Sequence, residues 1–308
     1  MSLKPRFHDL WTELRQRHEA LWESLLLLEP EEWPTPRPGW HAPAVLAESI
    51  RRDRDLLAVV EAAAVGLPEV TTAAAVAPVG EPEALLSQAV AVADELEARL
   101  GALDNHQWQR RVRLGRETRS LAEWVAATND ALQQAQGQVD AYLGSFERLG
   151  REGLQNWLLF VYNDLMDSIA GMSEAELMGP AWHGEWNTFR LLEHVWAWNE
   201  QLLETALHWH EDAAPPPLRD LPCYGEYNPH VGKVYEGTDM VTLADGLVTV
   251  YRKTAAFVAR CDPALLTLAR PSPWPGRLPL SNLIFEVYRH AWHHARAIRE
   301  HVGKVGNQ

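Results

Sequence analysis

Residues 279–302 read PLSNLIFEVYRHAWHHARAIREHV, and the spacing of their side chains decides the fold class. Leu283, Val287, His290, His294 and Ile298 recur at intervals of three and four residues. Such intervals place them on one face of an α-helix. The same rhythm runs back through the chain, with few β-branched alternations to compete with it. It predicts helices near 5–28, 42–65, 82–103 and 119–143, then near 152–171, 187–211, 241–261 and 279–302. In the first of these, Leu10, Leu14, Leu21 and Leu25 mark the apolar stripe. Gly66 with Pro68, Gly144, Gly171 and Gly303 follow apolar runs as stop signals. Ser120 with Glu123 three residues on is a capping-box start. Eight such helices with mostly short connections predict an all-α protein of two antiparallel four-helix bundles.

The two halves read as copies. GWHAPAVLAESIRRDRDLL (39–57) aligns with EWNTFRLLEHVWAWNEQLL (185–203), pairing Trp40 with Trp186 at an offset of 146. LAEWVAATNDA (121–131) aligns with LSNLIFEVYRH (280–290) at an offset of 159, which also pairs Gly144 with Gly303. Ordered self-similarity of this kind points to an internal duplication, with domains 1–148 and 149–308. The second half carries a longer connection, 212–240, which holds Pro215–Pro217, Cys223, Tyr224, Tyr227, His230 and Tyr235. Connections of that length are binding covers or packed excursions, and the residues do not choose between them.

Composition narrows the function. The net charge of −14 over 308 residues disfavours nucleic acid and anionic membrane surfaces. No apolar run approaches a membrane span, and the first residues, MSLKPRFHDLW, lack a signal core. The two cysteines, Cys223 and Cys261, form no CxxC pair and fit a cytoplasmic setting. No phosphate-binding loop, dinucleotide fingerprint or GxSxG elbow occurs. Tryptophan is abundant at 14 residues, and of the 13 histidines nine lie after residue 150.

That skew leads to the chemistry. His290 and His294 are four residues apart, the spacing by which one helix face offers two imidazoles to one ion. His293 is the alternative partner of His290 but points about 100° away from His294. A third ligand is available in His194, which sits in the apolar stripe of the sixth helix with Leu191, Val195 and Trp198. Bundle cores are where facing helices assemble metal sites. Three neutral imidazoles with an open position suit a divalent ion such as zinc, nickel or iron. Each histidine taken singly reads equally as a hydrogen-bonded core residue. Against that, the aligned positions of the first half hold Glu48, Ala131 and Ala135, so the fold does not need the histidines.

Glu286, one turn before His290, is the candidate acid/base or fourth ligand, though a solvated glutamate reads as well. Glu193 and Asn199 flank His194 but turn partly away from it. Tyr162 and Asp164 on the fifth helix are further candidates for the wall of the site. Trp186, Trp196, Trp198 and Trp292 are candidates for an aromatic pocket lining or for plain core packing. His208 and His210 read as surface or loop-anchoring residues.

The His194, His290 and His294 pattern resembles the DinB-like superfamily of metal-dependent four-helix bundles, whose signature is one histidine on the second helix and His-xxx-His on the fourth. The second half also resembles the ClbS/DfsB branch, in LLETALHWHED (202–212), GEYNPHVGKVYEG (225–237) and the third helix. The likeness covers residues 150–303, with 1–150 as a worn copy. It implies a metal-assisted enzyme, with thiol-dependent transferases and isomerases among its members. The ClbS/DfsB branch implies hydrolysis of a reactive small molecule but often lacks the three-histidine set, so this chain combines that branch's loop with the superfamily's triad. Bundles of the superfamily often pair as dimers, which implies either a homodimer or a monomer whose first bundle stands in for the partner. The expectation is a metal-dependent enzyme on a small-molecule substrate, by hydrolysis or by transfer with a low-molecular-weight thiol. The alternative is a non-catalytic protein that sequesters a small molecule in a Trp-lined pocket.

Overall fold

The apolar stripes become the buried faces of eight long helices. In the computed structural model, which describes residues 5–37, 40–73, 81–184, 186–210, 238–272 and 277–305, these are α1 (Pro5–Leu26), α2 (Ala42–Val65), α3 (Pro82–Gly101), α4 (Leu121–Leu143), α5 (Phe146–Ser168), α6 (Thr188–Leu207), α7 (Met240–Arg260) and α8 (Leu280–Val305). Leu14, Leu21 and Leu25 of α1 are fully buried, as are Leu283 and Ile298 of α8. The all-α class holds, and the strands are short: β1 (Glu69–Val70), β2 (Arg111–Leu114), β3 (Glu117–Ser120), β4 (Ala269–Pro271) and β5 (Arg277–Pro279). Most of the long connection read at 212–240, with Cys223 and its tyrosines, lies outside the described residues.

Local chemistry explains most boundaries. Ser120 N–H donates to Glu123 Oε2 (2.7 Å) and Glu123 N–H donates back to Ser120 Oγ (3.3 Å), the reciprocal pair expected at the start of α4. Gly66 stops α2 in left-handed conformation, with φ of 82°, whereas α5 ends at Ser168 and left-handed Gly171 (φ 83°) follows three residues later. Gly303 is not among the positive-φ glycines, and α8 runs through it to Val305. A glycine ends a helix by its conformation, not by its presence. Within α5 the backbone breaks at Gly150 (φ 58°, ψ −170°), so the regular helix begins close to the expected residue 152.

The chain divides into two units, 1–141 and 142–308. In the second, contacts fix the direction of every helix. Trp157 stacks on Phe285 (4.8 Å) and Asp164 pairs with Arg299 (2.8 Å), so α5 and α8 run parallel. Arg151 bonds the carbonyl of Cys261 (2.7 Å) and Tyr162 stacks on Tyr251 (4.4 Å), so α5 and α7 are antiparallel. Trp196 lies against Gly246, while Leu203 and Leu207 share a groove with Phe257 and Arg260, so α6 and α7 run parallel. Contacts between His194 and His290 and between Trp182 and His301 make α6 and α8 antiparallel. Antiparallel packing thus holds for two neighbouring pairs and gives way to parallel packing in the other two. The physical reason is the length of residues 208–239. A parallel neighbour requires the chain to return along about 30 Å of helix, and only a long connection can do so.

The first unit repeats these directions. Asn129 bonds the carbonyl of Leu10 (3.3 Å) and Ser24 donates to Asp140 (2.6 Å), which makes α1 and α4 parallel. Two smaller features also recur. Isolated β-bridges, Arg37 to Trp40 and His183 to Trp186, precede α2 and α6. Antiparallel strand pairs, β2–β3 and β4–β5, precede α4 and α8, and in the first unit β1 adds to β2 in parallel.

Candidate metal centre

Two elements bring the histidines together. The start of α6 is pinned by Asn187, whose side chain accepts from Arg190 N–H (2.9 Å) and donates to the carbonyl of Gly179 (3.2 Å). About two turns inward, the apolar stripe turns His194 into the core, where it is 2% exposed. Across from it, α8 projects His290 and His294 from one face. The Nε2 atoms of His194 and His290 are 3.1 Å apart, and those of His290 and His294 are 2.9 Å apart. All three side chains offer a ligand atom within 4.8 Å of one another.

That geometry fits a metal ion. With metal–nitrogen distances of about 2.1 Å, ligand nitrogens lie about 3.0–3.4 Å apart for angles of about 90–110° at the ion. Two nitrogen lone pairs at hydrogen-bonding distance repel unless a proton or a cation lies between them. Burial also holds the ligands in the metal-binding form. Loss of water, followed by the neighbouring imidazoles His290 and His183, pushes His194 down to about 3. Loss of water, with a smaller contribution from His293, pushes His290 down to about 4. His294 is pushed well below the ordinary histidine value, by burial first and the surrounding histidines second. All three are neutral near pH 7, and a neutral imidazole is the species that ligates. His194 Nδ1 is buried and finds no partner among the described residues.

The other candidates separate cleanly. Glu286 forms an ion pair with Arg289 on its own helix (2.9 Å), and among the described residues the group able to hold an ion consists of the three histidines. Trp186 lies 4.7 Å from His194, and Trp198 lies 6.3 Å from His194 and 6.4 Å from His290, so these two border the site. Trp196 instead packs on Gly246, and Trp292 packs edge-on to Trp157 (6.3 Å). Asp164 is held by Arg299, Tyr162 by Tyr251, and Glu193 by Arg190 (2.6 Å); His293 lies beside Trp292 (5.4 Å). His208 is exposed at the end of α6 and meets the carbonyl of Glu204 on its own helix (2.8 Å), which agrees with the surface half of its reading.

One residue at the site escaped the sequence reading. His183 stands edge-on to His294 with ring centroids 5.8 Å apart. It precedes α6 on the bridged turn, which Trp182 fastens by donating from Nε1 to Thr188 Oγ1 (3.1 Å) and by stacking on His301 (4.3 Å). A loop residue has no helical period to reveal it; the only signal was its closeness in sequence to Trp186.

No helix of the described residues is long and apolar enough to cross a membrane. No curated protein and no solved structure matches the chain significantly. Residues 158–298, from α5 through the three histidines to α8, match the family model of the DinB superfamily, a similarity that lies within the second unit.

Proposed function

We propose that the second unit is a metal-dependent enzyme acting on a small molecule, with His194, His290 and His294 as the ligands of one divalent ion. The convergence of three Nε2 atoms, with separations of 2.9 and 3.1 Å, carries this reading. Zinc, nickel and iron all accept such a ligand set. A bound ion would supply Lewis acidity, polarising a substrate oxygen or favouring the deprotonated form of water or a thiol. The chain's own residues do the rest. Burial keeps the ligands neutral, and Trp186 and Trp198 present aromatic rings beside the triad. Two reactions fit this arrangement: hydrolysis of a reactive group, and transfer with a low-molecular-weight thiol. Glu286 acts as acid or base only if it leaves Arg289.

The first unit we read as a degenerate copy of the second. The matching helix directions, the paired bridges before α2 and α6 and the antiparallel strand pairs before α4 and α8 support duplication. Glu48, Ala131 and Ala135 then stand where the second unit has its triad.

The test is elemental analysis of the untagged full chain beside a His290→Ala/His294→Ala variant. The expected result is close to one ion per chain in the wild type and loss of it in the variant. Equal metal in both would overturn the assignment. Absence of metal from both, after incubation with zinc, nickel and iron, would favour a second reading: sequestration of a small molecule against Trp186 and Trp198 without turnover.

A further inference from the structure

The place in the first unit that aligns with the triad is not filled in. Glu48, Ala131 and Ala135 all line a cavity of about 300 Å³ between α2 and α4, together with Trp40, His41 and Ser49. Two polar atoms are stranded there. Ser49 is 3% exposed and its Oγ has no partner among the described residues. Nε2 of His41 is buried and equally unpartnered. A buried hydroxyl with no partner is costly, so the site favours a ligand that brings an acceptor to it.

The charges say which acceptor. Glu48 is spent: Arg51 holds both of its oxygens (2.8 and 2.7 Å), and Arg52 reaches it through Nε (2.8 Å). The terminal nitrogens of Arg52 make no hydrogen bond among the described residues. Arg52 also lines an adjoining cavity of about 350 Å³ with Arg51, Arg116 and Arg119, so that four guanidinium groups stand there against the three carboxylates of Glu48, Asp55 and Glu117. In a chain of net charge −14 this groove is locally cationic. A guanidinium fork matches a carboxylate in two parallel bonds. The rest of the 300 Å³ cavity is lined by Trp40, Ala44 and Val45 and, from α4, by Ala131, Leu132 and Ala135, with Gln134 and Gln138 as its other polar side chains.

We propose that the first unit binds a small aromatic carboxylate in this groove, its carboxylate on Arg52 and Ser49 and its ring beside Trp40 and the two alanines. The site needs no metal and is separate from the triad.

The test uses benzoate as probe, titrated into the full chain while the indole N–H resonance of Trp40, assigned with Trp40→Phe, is followed by NMR. The titration is repeated in His290→Ala/His294→Ala, so that a carboxylate held by metal in the second unit cannot contribute. The expected result is a saturable shift of Trp40 in both proteins. Arg52→Gln weakens it at least tenfold, and Ala131→Leu, which fills the cavity, abolishes it. Ala135→Leu replaces Ala131→Leu if the latter changes the circular dichroism. No saturable shift, a shift that survives the cavity-filling substitution, or benzamide binding as tightly as benzoate would each overturn the proposal. None of these outcomes bears on the metal content that tests the triad.

Discussion

His194, His290 and His294 give up water on folding, and each one's neighbours discourage it from taking a proton. In the metal-free protein this links stability to pH with a definite sign. The folded values lie below the ordinary histidine value of about 6.5. Between about 6.5 and the folded values, the unfolded chain binds protons that the folded chain refuses, so stability falls as pH falls. Above about pH 7 the three sites make no difference. Chelator-treated protein should therefore melt at steadily lower temperature as the buffer is taken from pH 7.5 to 5. The His290→Ala/His294→Ala variant should show a shallower slope; an equal slope would place the acid sensitivity elsewhere. Glu286 offers a second test at this scale. If the carboxylate only pairs with Arg289 on a partly exposed surface, Glu286→Gln leaves metal content unchanged and lowers turnover less than about threefold. An acid/base role predicts a loss of about 10²–10⁴-fold. The triad itself was legible in sequence because the helical period is a strong code: His290 and His294 share a face by arithmetic, and His194 stands in an apolar stripe. His183 was not legible, because its nearness to His294 depends on how the Trp182–Trp186 turn folds back.

Helix starts and stops were read well wherever a local side chain determines them, as with Ser120 and Glu123. They were read less well where conformation decides, as at Gly303. What no local signal gives is helix direction. Parallel packing of α6 and α7 depends on Trp196 meeting Gly246, a contact between residues 50 positions apart. A Cβ at Gly246 would lie 2.4 Å from the indole of Trp196. Gly246→Ala should therefore destabilise the second unit by about 1–3 kcal/mol through overpacking, despite the better helix propensity of alanine. A denaturation midpoint unchanged from wild type would show that the indole can swing away. Asn187→Ala removes the cap that aims α6 and should cost about 1 kcal/mol. Because that cap lies less than two turns from His194, the same variant is expected to bind metal more weakly, which a competition titration with a chromogenic chelator reads directly.

At the scale of the whole chain, the proposed metal site belongs to the second of the two units alone. An ion that binds only the folded second unit stabilises that unit alone, by about 2.7 kcal/mol when free metal is a hundredfold above its dissociation constant. Calorimetry of the metal-loaded chain should resolve two transitions, and chelation should lower one of them while leaving the other in place. Two transitions that move together would mean that the units unfold as one. Trp40 and Trp186 suggested a duplication in the sequence, and in the fold both stand on bridged turns. The fate of the copied site was harder to foresee. Replacing histidine by alanine suggests loss, whereas the cavity, with Ser49 stranded inside it, is a concave surface that still has hydrogen-bonding capacity to offer.

The parallel pairing of α5 with α8 has a mechanical consequence. The second unit is entered at one end of its long axis and left at the other, about 35 Å away for helices of 23 and 26 residues. Tension applied through those termini loads the α5–α8 seam lengthwise, so Trp157 must slide past Phe285 and Asp164 past Arg299 all at once. A bundle with adjacent termini would peel apart one contact at a time under the same pull. This unit should therefore rupture at a higher force than an up-and-down bundle of equal thermodynamic stability. The same separation makes it a poor subject for circular permutation, since rejoining its ends would take about ten fully extended residues.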